Sequence, residues 1–352
     1  MPIMPAPLKA KPSVICDWLE LSVLANQDYP YRLSSLKRYR DTHRESEYSD
    51  SEGNHSREEN TDTQGINGAD DDVFLDAITE EIADRETALS GCYPFETDSS
   101  GYKLSLKDNL SDGAYIYIFC LLLSNSKTDN ILDGKWLPDI DHTTRDLFQV
   151  CATMAAAGEV AGSAISFGWP RPNDNPPFLQ KLKEVYRHLG EGVVVTEARA
   201  GVSPSPKDEE IDIIAWRPSF DKVAGQVYLL GQVASGDNWQ AKSILGGPIR
   251  KFHENWFTRQ PASIAIPSIF IPHDIQSIRN GSRYDLMHAE TPCYGTILDR
   301  LRLPRRASEG INLADNHHNL TIERRGEIPN VILWVKNQLS NLRTIYLAST
   351  NA

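Results

Sequence analysis

"GQVYLLGQVASGDNWQAK", Gly225 to Lys242, joins two kinds of local structure. Its first half is an apolar, β-prone run, and alternation with period two puts Tyr228, Leu230, Gln232 and Ala234 on one face of the strand predicted over 225–234. A run this apolar suits a central strand covered on both sides, where a polar side chain without a partner is costly. Gln232 therefore needs a partner. Upstream, "EIDIIAW" (210–216) predicts a second strand whose isolated acid, Asp212, points the same way as Ile214 and Trp216. If the two strands are neighbours, Asp212 and Gln232 meet at one end of the sheet. Two oxygen donors there suit a hard cation, Mg²⁺ or Mn²⁺. Downstream, Asp237 or Asn238 is the expected N-cap of a helix over about 238–256, which places Lys242 roughly one turn beyond the strand.

The surrounding segments give an alternating order. "DLFQVCATMAAAGEVAGSAIS" (146–166) is an alanine-rich helix candidate with one interior acid, Glu159. "PPFLQKLKEVYRHLG" (176–190) is a second helix, started by Pro and stopped by Gly. Strand candidates follow at "GVVVTEA" (192–198) and, beyond the two already named, at "ASIAIPSIFI" (262–271). The order is helix, three strands, helix, strand, and the fold class is α/β.

An acid on the second of these strands, with a polar position on the next about twenty residues later, resembles the PD-(D/E)XK nuclease superfamily, which has the restriction-endonuclease-like fold. "LLGQVASGDNW" (229–239) also looks like uncharacterised prokaryotic nucleases of phage defence. The resemblance covers 146–272. It implies a central mixed sheet flanked by helices, and a Mg²⁺- or Mn²⁺-dependent nuclease acting on nucleic acid, DNA before RNA, alone or with a protein partner in a defence complex. Asp212 stands at the family's aspartate and Gln232 at the position of its following acid, while Glu159 is the candidate for the helical glutamate of the metal site. The family's lysine position holds Ala234. A lysine brought in from a neighbouring element replaces it, Lys242 first and Lys207 as its rival. The alternative function is a catalytically inactive nuclease-like subunit that binds nucleic acid or a partner protein, and Ala234 favours it.

The first 145 residues read as a mostly helical region, and 146–352 as the nuclease-like domain with a C-terminal helical extension. "VICDWLELSVLAN" (14–26) and "DVFLDAITEEIADRETAL" (72–89) have apolar residues at helical spacing, whereas periodicity leaves "AYIYIFCLLLS" (114–124) open between buried helix and buried strand. Residues 45–72 hold ten acids, one Arg and almost nothing apolar, the composition of a disordered insertion. The net charge of −12 is concentrated in the first 200 residues, since 201–352 carry 17 Lys+Arg against 15 Asp+Glu. "RLRLPRR" (300–306), "ERR" (323–325) and "IRKFHENWF" (249–257) supply cations and aromatics that suit phosphate. Five scattered cysteines without a C-x-x-C pair argue for reduced thiols rather than a disulfide framework or a zinc site. No P-loop and no G-x-S-x-G elbow is present. With no secretory leader pattern, and no apolar run near the roughly 20 residues of a membrane span, a cytoplasmic protein without a membrane partner is expected.

Overall fold

The computed structural model describes every residue except 1–2, 4, 27–29, 41–61, 127–130, 133–139, 173–174, 208, 222, 279 and 351–352. The chain divides into two units. One comprises Met1–Leu110, Asn125–Pro138 and Lys336–Ala352, the other Ser111–Ser124 and Asp139–Val335. The single cut expected at 145/146 is therefore replaced by an exchange: "AYIYIFCLLLS" goes to the second unit and the end of the chain to the first.

In the first unit, helix α1 (Pro12–Ala25) packs on helix α2 (Asp62–Leu89), beside a small antiparallel sheet of β1 (Tyr31–Arg32), β2 (Phe95–Thr97) and β3 (Lys103–Leu106) in the order β1-β3-β2. Ile78, Ile82 and Leu89 form the buried stripe of α2, while Val73, expected on that face, is exposed. The helix starts at Asp62, so 62–72 are helical where composition predicts no regular structure. Extending an existing helix is far easier than nucleating one. Residues 45–61 of that expectation lie outside the described residues.

The packing of α1 on α2 surrounds a charged centre. Arg85 is fully buried and donates to Asp17 Oδ1 (2.8 Å), Glu20 Oε1 (2.9 Å), Glu81 Oε1 (2.9 Å) and the Ser13 carbonyl (2.7 Å). Tyr93 Oη donates to Glu20 Oε1 at 2.9 Å. One guanidinium thus ties two helices through four acceptors, using the fixed fork of donors that only Arg has.

The second unit begins with helix α3 (Asp112–Asn125), which resolves the ambiguous apolar run. Residues Ile116 to Leu122 are all buried, the burial of a helix that is apolar on every side. Helix α4 (His142–Val160) is capped by the Asp141 carboxylate, which accepts from the Thr144 N–H at 2.8 Å. Next come β4 (Ser163–Ser166), helix α5 (Phe178–Leu189), β5 (Val193–Val194), β6 (Ile213–Arg217) and β7 (Val227–Val233). Then follow helix α6 (Gly247–Trp256), β8 (Phe257–Arg259), β9 (Ala265–Phe270), helices α7 (Ile275–Ile278) and α8 (Arg283–Tyr294), β10 (Thr296–Leu298), helix α9 (Leu303–Asn316), and the first turns of α10 (Ile328–Thr350), which from Lys336 on belongs to the first unit. The central sheet is mixed, in the order β10-β9-β7-β6-β4. β7, β9 and β10 are parallel, with α6 in one crossover and α7 and α8 in the next, while β6 is antiparallel to both its neighbours. The mixed α/β class expected from the sequence is observed. "GVVVTEA" contributes only β5, which pairs with β8 outside this sheet, and β4 lies inside the stretch expected to be helix to Ser166.

Helices cover both faces. Ile165, Ile214, Trp216, Tyr228 and Leu230 pack with Phe178, Leu182, Val185 and Tyr186 of α5 and with Phe252 and Trp256 of α6. α4 lies against β4, β6 and β7, and α9 packs on α4. The two helices meet backbone to backbone at Gly158 and Gly310.

His253 on α6 is mostly buried, its Nε2 3.3 Å from Tyr228 Oη, which also bonds Tyr186 Oη. Burial lowers its pKa below the ordinary 6.5. The unfolded imidazole then takes up a proton before the folded one does. This contribution is full above the unfolded value and is lost as pH falls from there through the folded value. His253→Phe is expected to lose less stability than the parent between about pH 8 and about pH 5, read from urea midpoints. Equal losses would contradict the assignment.

Candidate functional site

The strand alternation brings Asp212 and Gln232 together. Ile213 pairs with Gly231, so the residues just beyond that pair, at the start of β6 and near the end of β7, stand opposite each other. Gln232 Nε2 lies 2.5 Å from Asp212 Oδ2, and the Val233 N–H donates to the same oxygen at 2.8 Å. The Asp212 backbone is equally committed: its N–H donates to the Gly231 carbonyl (2.8 Å), and its carbonyl accepts from the N–H groups of Phe167 (2.7 Å) and Gly168 (2.9 Å). Only 7% of Asp212 is exposed.

The network continues into α4 and β4. Gln149 Nε2 donates to the Asp212 carbonyl (3.0 Å) and to Ser166 Oγ (3.1 Å), which uses both of its hydrogens. Gly168 closes the site from below. A Cβ there would stand 2.4 Å from Gln149 Nε2 and 2.7 Å from Asp212 Oδ1, so a side chain would displace both. The Ser166 N–H donates to Glu323 Oε2 at 3.1 Å, and Glu323 Oε1 is ion-paired with Lys181 Nζ of α5. Lys181 is 2% exposed. Burial raises the pKa of Glu323 although Lys181 opposes the shift.

The other expected residues go elsewhere. Glu159 sits ten residues beyond Gln149 on α4, about 15 Å along the axis at 1.5 Å per residue. It pairs with Arg306 Nε of α9 at 2.8 Å, so the helical residue that meets Asp212 is Gln149. The helix expected over 238–256 is a single 3₁₀ turn, Trp239–Ala241, followed by a loop and then α6. Trp239 is buried with Ile269, Ile271 and Tyr294 and draws the segment beneath β9 and α8. Lys242 ends that turn with its side chain exposed, and among the described residues it makes no hydrogen bond or ion pair with Asp212 or Gln232. Lys207 Nζ lies 4.9 Å above the ring centroid of Trp169, the residue after Gly168.

The basic stretches divide into buried arginines with fixed partners and exposed cations in looser surface pairs. Arg300 is buried and bonds Ser124 Oγ (2.7 Å), and Arg302 bonds the Ile297 carbonyl (3.2 Å). Arg305 and Arg306 pair with Glu309, Arg324 with Asp146 and Glu327, and Arg325 with Asp315. Arg250 and Lys251 lie 3.9 Å from Glu254 and Glu209.

The donor set does not fit Mg²⁺ or Mn²⁺. Such an ion needs several oxygen ligands and room for water. Among the described residues, the Gln232 amide and the Val233 N–H donate to Asp212 Oδ2, and the Gly168 backbone lies beside Oδ1. At 2.5 Å an amide oxygen facing a carboxylate oxygen would repel it, so Gln232 presents its NH₂. Among the described residues no group of three His, Cys, Asp or Glu side chains is placed to hold a metal.

Sequence reasoning missed Gln149, Ser166, Glu323 and Lys181. A faint signal exists for Gln149, a polar residue inside the apolar "LFQVCATM". Comparison with known proteins adds nothing to this geometry: no family model, no curated protein and no solved structure matches the chain. Among the described residues, no helix is long and apolar enough to cross a membrane.

Proposed function

We propose that the unit carrying Asp212 is a nuclease-like α/β module that binds nucleic acid without hydrolysing it. The reading rests on one observation, the capping of Asp212 Oδ2 by the Val233 N–H and the Gln232 amide. The two positions that the nuclease resemblance pairs are adjacent. These hydrogen bonds hold the Asp212 side chain in place at the end of the two strands. Hydrolysis by the metal route needs the carboxylate to face a cation and an activated water, and here Oδ2 accepts from the Gln232 amide and the Val233 N–H.

The test is an assay of plasmid, single-stranded DNA and RNA with Mg²⁺, with Mn²⁺ and with EDTA. Binding insensitive to EDTA, with no substrate cut, is expected. Gln232→Glu sets a second carboxylate beside Asp212, which raises the pKa of one of them or recruits a cation. Its thermal midpoint is expected to drop and to be restored by Mg²⁺ or Mn²⁺, whereas the parent responds to neither. Asp212→Ala leaves the half-buried Val233 N–H and Gln232 amide without their acceptor and is expected to cost about 1 kcal/mol. Metal-dependent cleavage by the parent protein that disappears in Asp212→Ala would replace this reading with the metal-dependent nuclease.

A further inference from the structure

We infer that Trp169 and Lys207 form a platform for single-stranded nucleic acid, the indole stacking on a base and the ammonium holding the adjacent phosphate. The inference rests on the nucleic-acid-binding reading above and names the strand form and the residues that receive it. Trp169 follows Gly168, whose N–H bonds the Asp212 carbonyl and whose α-carbon abuts the Asp212 carboxylate, so the ring is carried at the margin of the Asp212 network. The residue is 50% exposed. A single exposed aromatic needs no explanation by itself. This one is held in place by a buried device.

Arg171, two residues on, is buried and sets its guanidinium over the rings of Phe167 (5.6 Å) and Phe178 (5.5 Å). From there it donates to the carbonyls of Pro176 (3.2 Å), Pro206 (3.2 Å) and Lys207. Arg171 therefore fastens the loop that carries Lys207 to the segment that carries Trp169. Lys207 Nζ lies over one face of the Trp169 ring, 4.9 Å from its centroid, so a base would stack on the opposite face. The arrangement pairs a half-open π-surface with a cation whose backbone is fixed and whose side chain is exposed. Stacking on an aromatic ring beside a cation is how unpaired strands are bound without base-specific hydrogen bonds, because every base offers a π-face and every nucleotide a phosphate. In a duplex the bases are stacked on each other and their faces are closed to the indole. The ligand class is accordingly a single strand.

The experiment measures fluorescence anisotropy of labelled oligothymidylate, oligouridylate and a DNA duplex of equal length with the full chain and with Trp169→Ala, Trp169→Phe and Lys207→Ala. Thermal melts establish that each variant is folded. The parent is expected to prefer either single strand to the duplex. Trp169→Ala is expected to weaken single-strand binding roughly five- to a hundred-fold, while Trp169→Phe, which keeps an aromatic face, retains most of it. Lys207→Ala is expected to flatten the slope of log K against log salt by about 0.7, the effect of losing one phosphate contact to a single strand. If Trp169→Ala and Trp169→Phe both bind the single strands as the parent does, the platform is wrong and nucleic-acid binding survives at another surface. Preference for the duplex would also overturn the platform alone. A parent that binds none of the three removes the nucleic-acid reading itself, and the platform with it.

Discussion

Arg85→Met is expected to cost about 3–5 kcal/mol, the loss typical when one member of a buried ion-pair network is removed and its partners remain. Asp17, Glu20 and Glu81 each lose a charge-assisted bond of 2.8–2.9 Å, in a place where water cannot replace it. Against a typical total stability of about 5–15 kcal/mol this is a large fraction. Arg85→Lys keeps the charge but cannot address four acceptors from one ammonium, so an intermediate loss is expected. A chain of two units need not unfold in one step, so the readout should be local. Hydrogen exchange followed by mass spectrometry is expected to show α1 and residues 78–93 losing protection first. Unchanged exchange in those peptides would mean that the ion cluster is incidental to the packing of α1 on α2.

Gly310→Ala is expected to be among the most damaging single-methyl changes in the second unit. A Cβ at Gly310 would stand 1.9 Å from the Met154 carbonyl oxygen, and one at Gly158 would stand 2.0 Å from the Arg306 carbonyl oxygen. Both obstacles are backbone, so no rotamer change relieves them and α4 and α9 must separate. Overpacking of this kind costs about 1–3 kcal/mol and sometimes more, and backbone obstruction argues for the upper end. Gly247→Ala is the control. It lies in the first turn of α6 with nothing within 4 Å of its Cβ position, and a neutral result or a gain of up to about 1 kcal/mol is expected. Because α4 also carries Gln149, separation of the helices should loosen the Asp212 carbonyl. Loss of nucleic-acid binding in Gly310→Ala at temperatures where the protein remains folded would report that coupling. Equal thermal midpoints for Gly310→Ala and Gly247→Ala would refute the packing argument.

The sequence by itself determined that Asp212 and Gln232 meet if their two strands are neighbours. Alternation in "EIDIIAW" and "GQVYLLGQVA" fixes which side chains share a face, a local fact, while the antiparallel pairing of the two strands comes from the structure. It likewise fixed the helix 178–189, bounded by Pro177 and Gly190, and the buried stripe of α2. The tertiary structure alone decided the rest of the site. Helical periodicity assigns Glu159 a face but not a destination, and only the packing of α4 against β6 and α9 shows that Gln149 meets Asp212 while Glu159 meets Arg306. Lys242 was misplaced because capping residues mark where a helix can start. They do not show that Trp239, pulled into the core with Ile269 and Tyr294, stops it after one 3₁₀ turn. Glu323 reaches Ser166 across 157 residues, and Arg85 reaches Asp17 across 68. Contacts at such separations leave no periodic trace in the chain, because they depend on which surfaces meet after the local elements have formed.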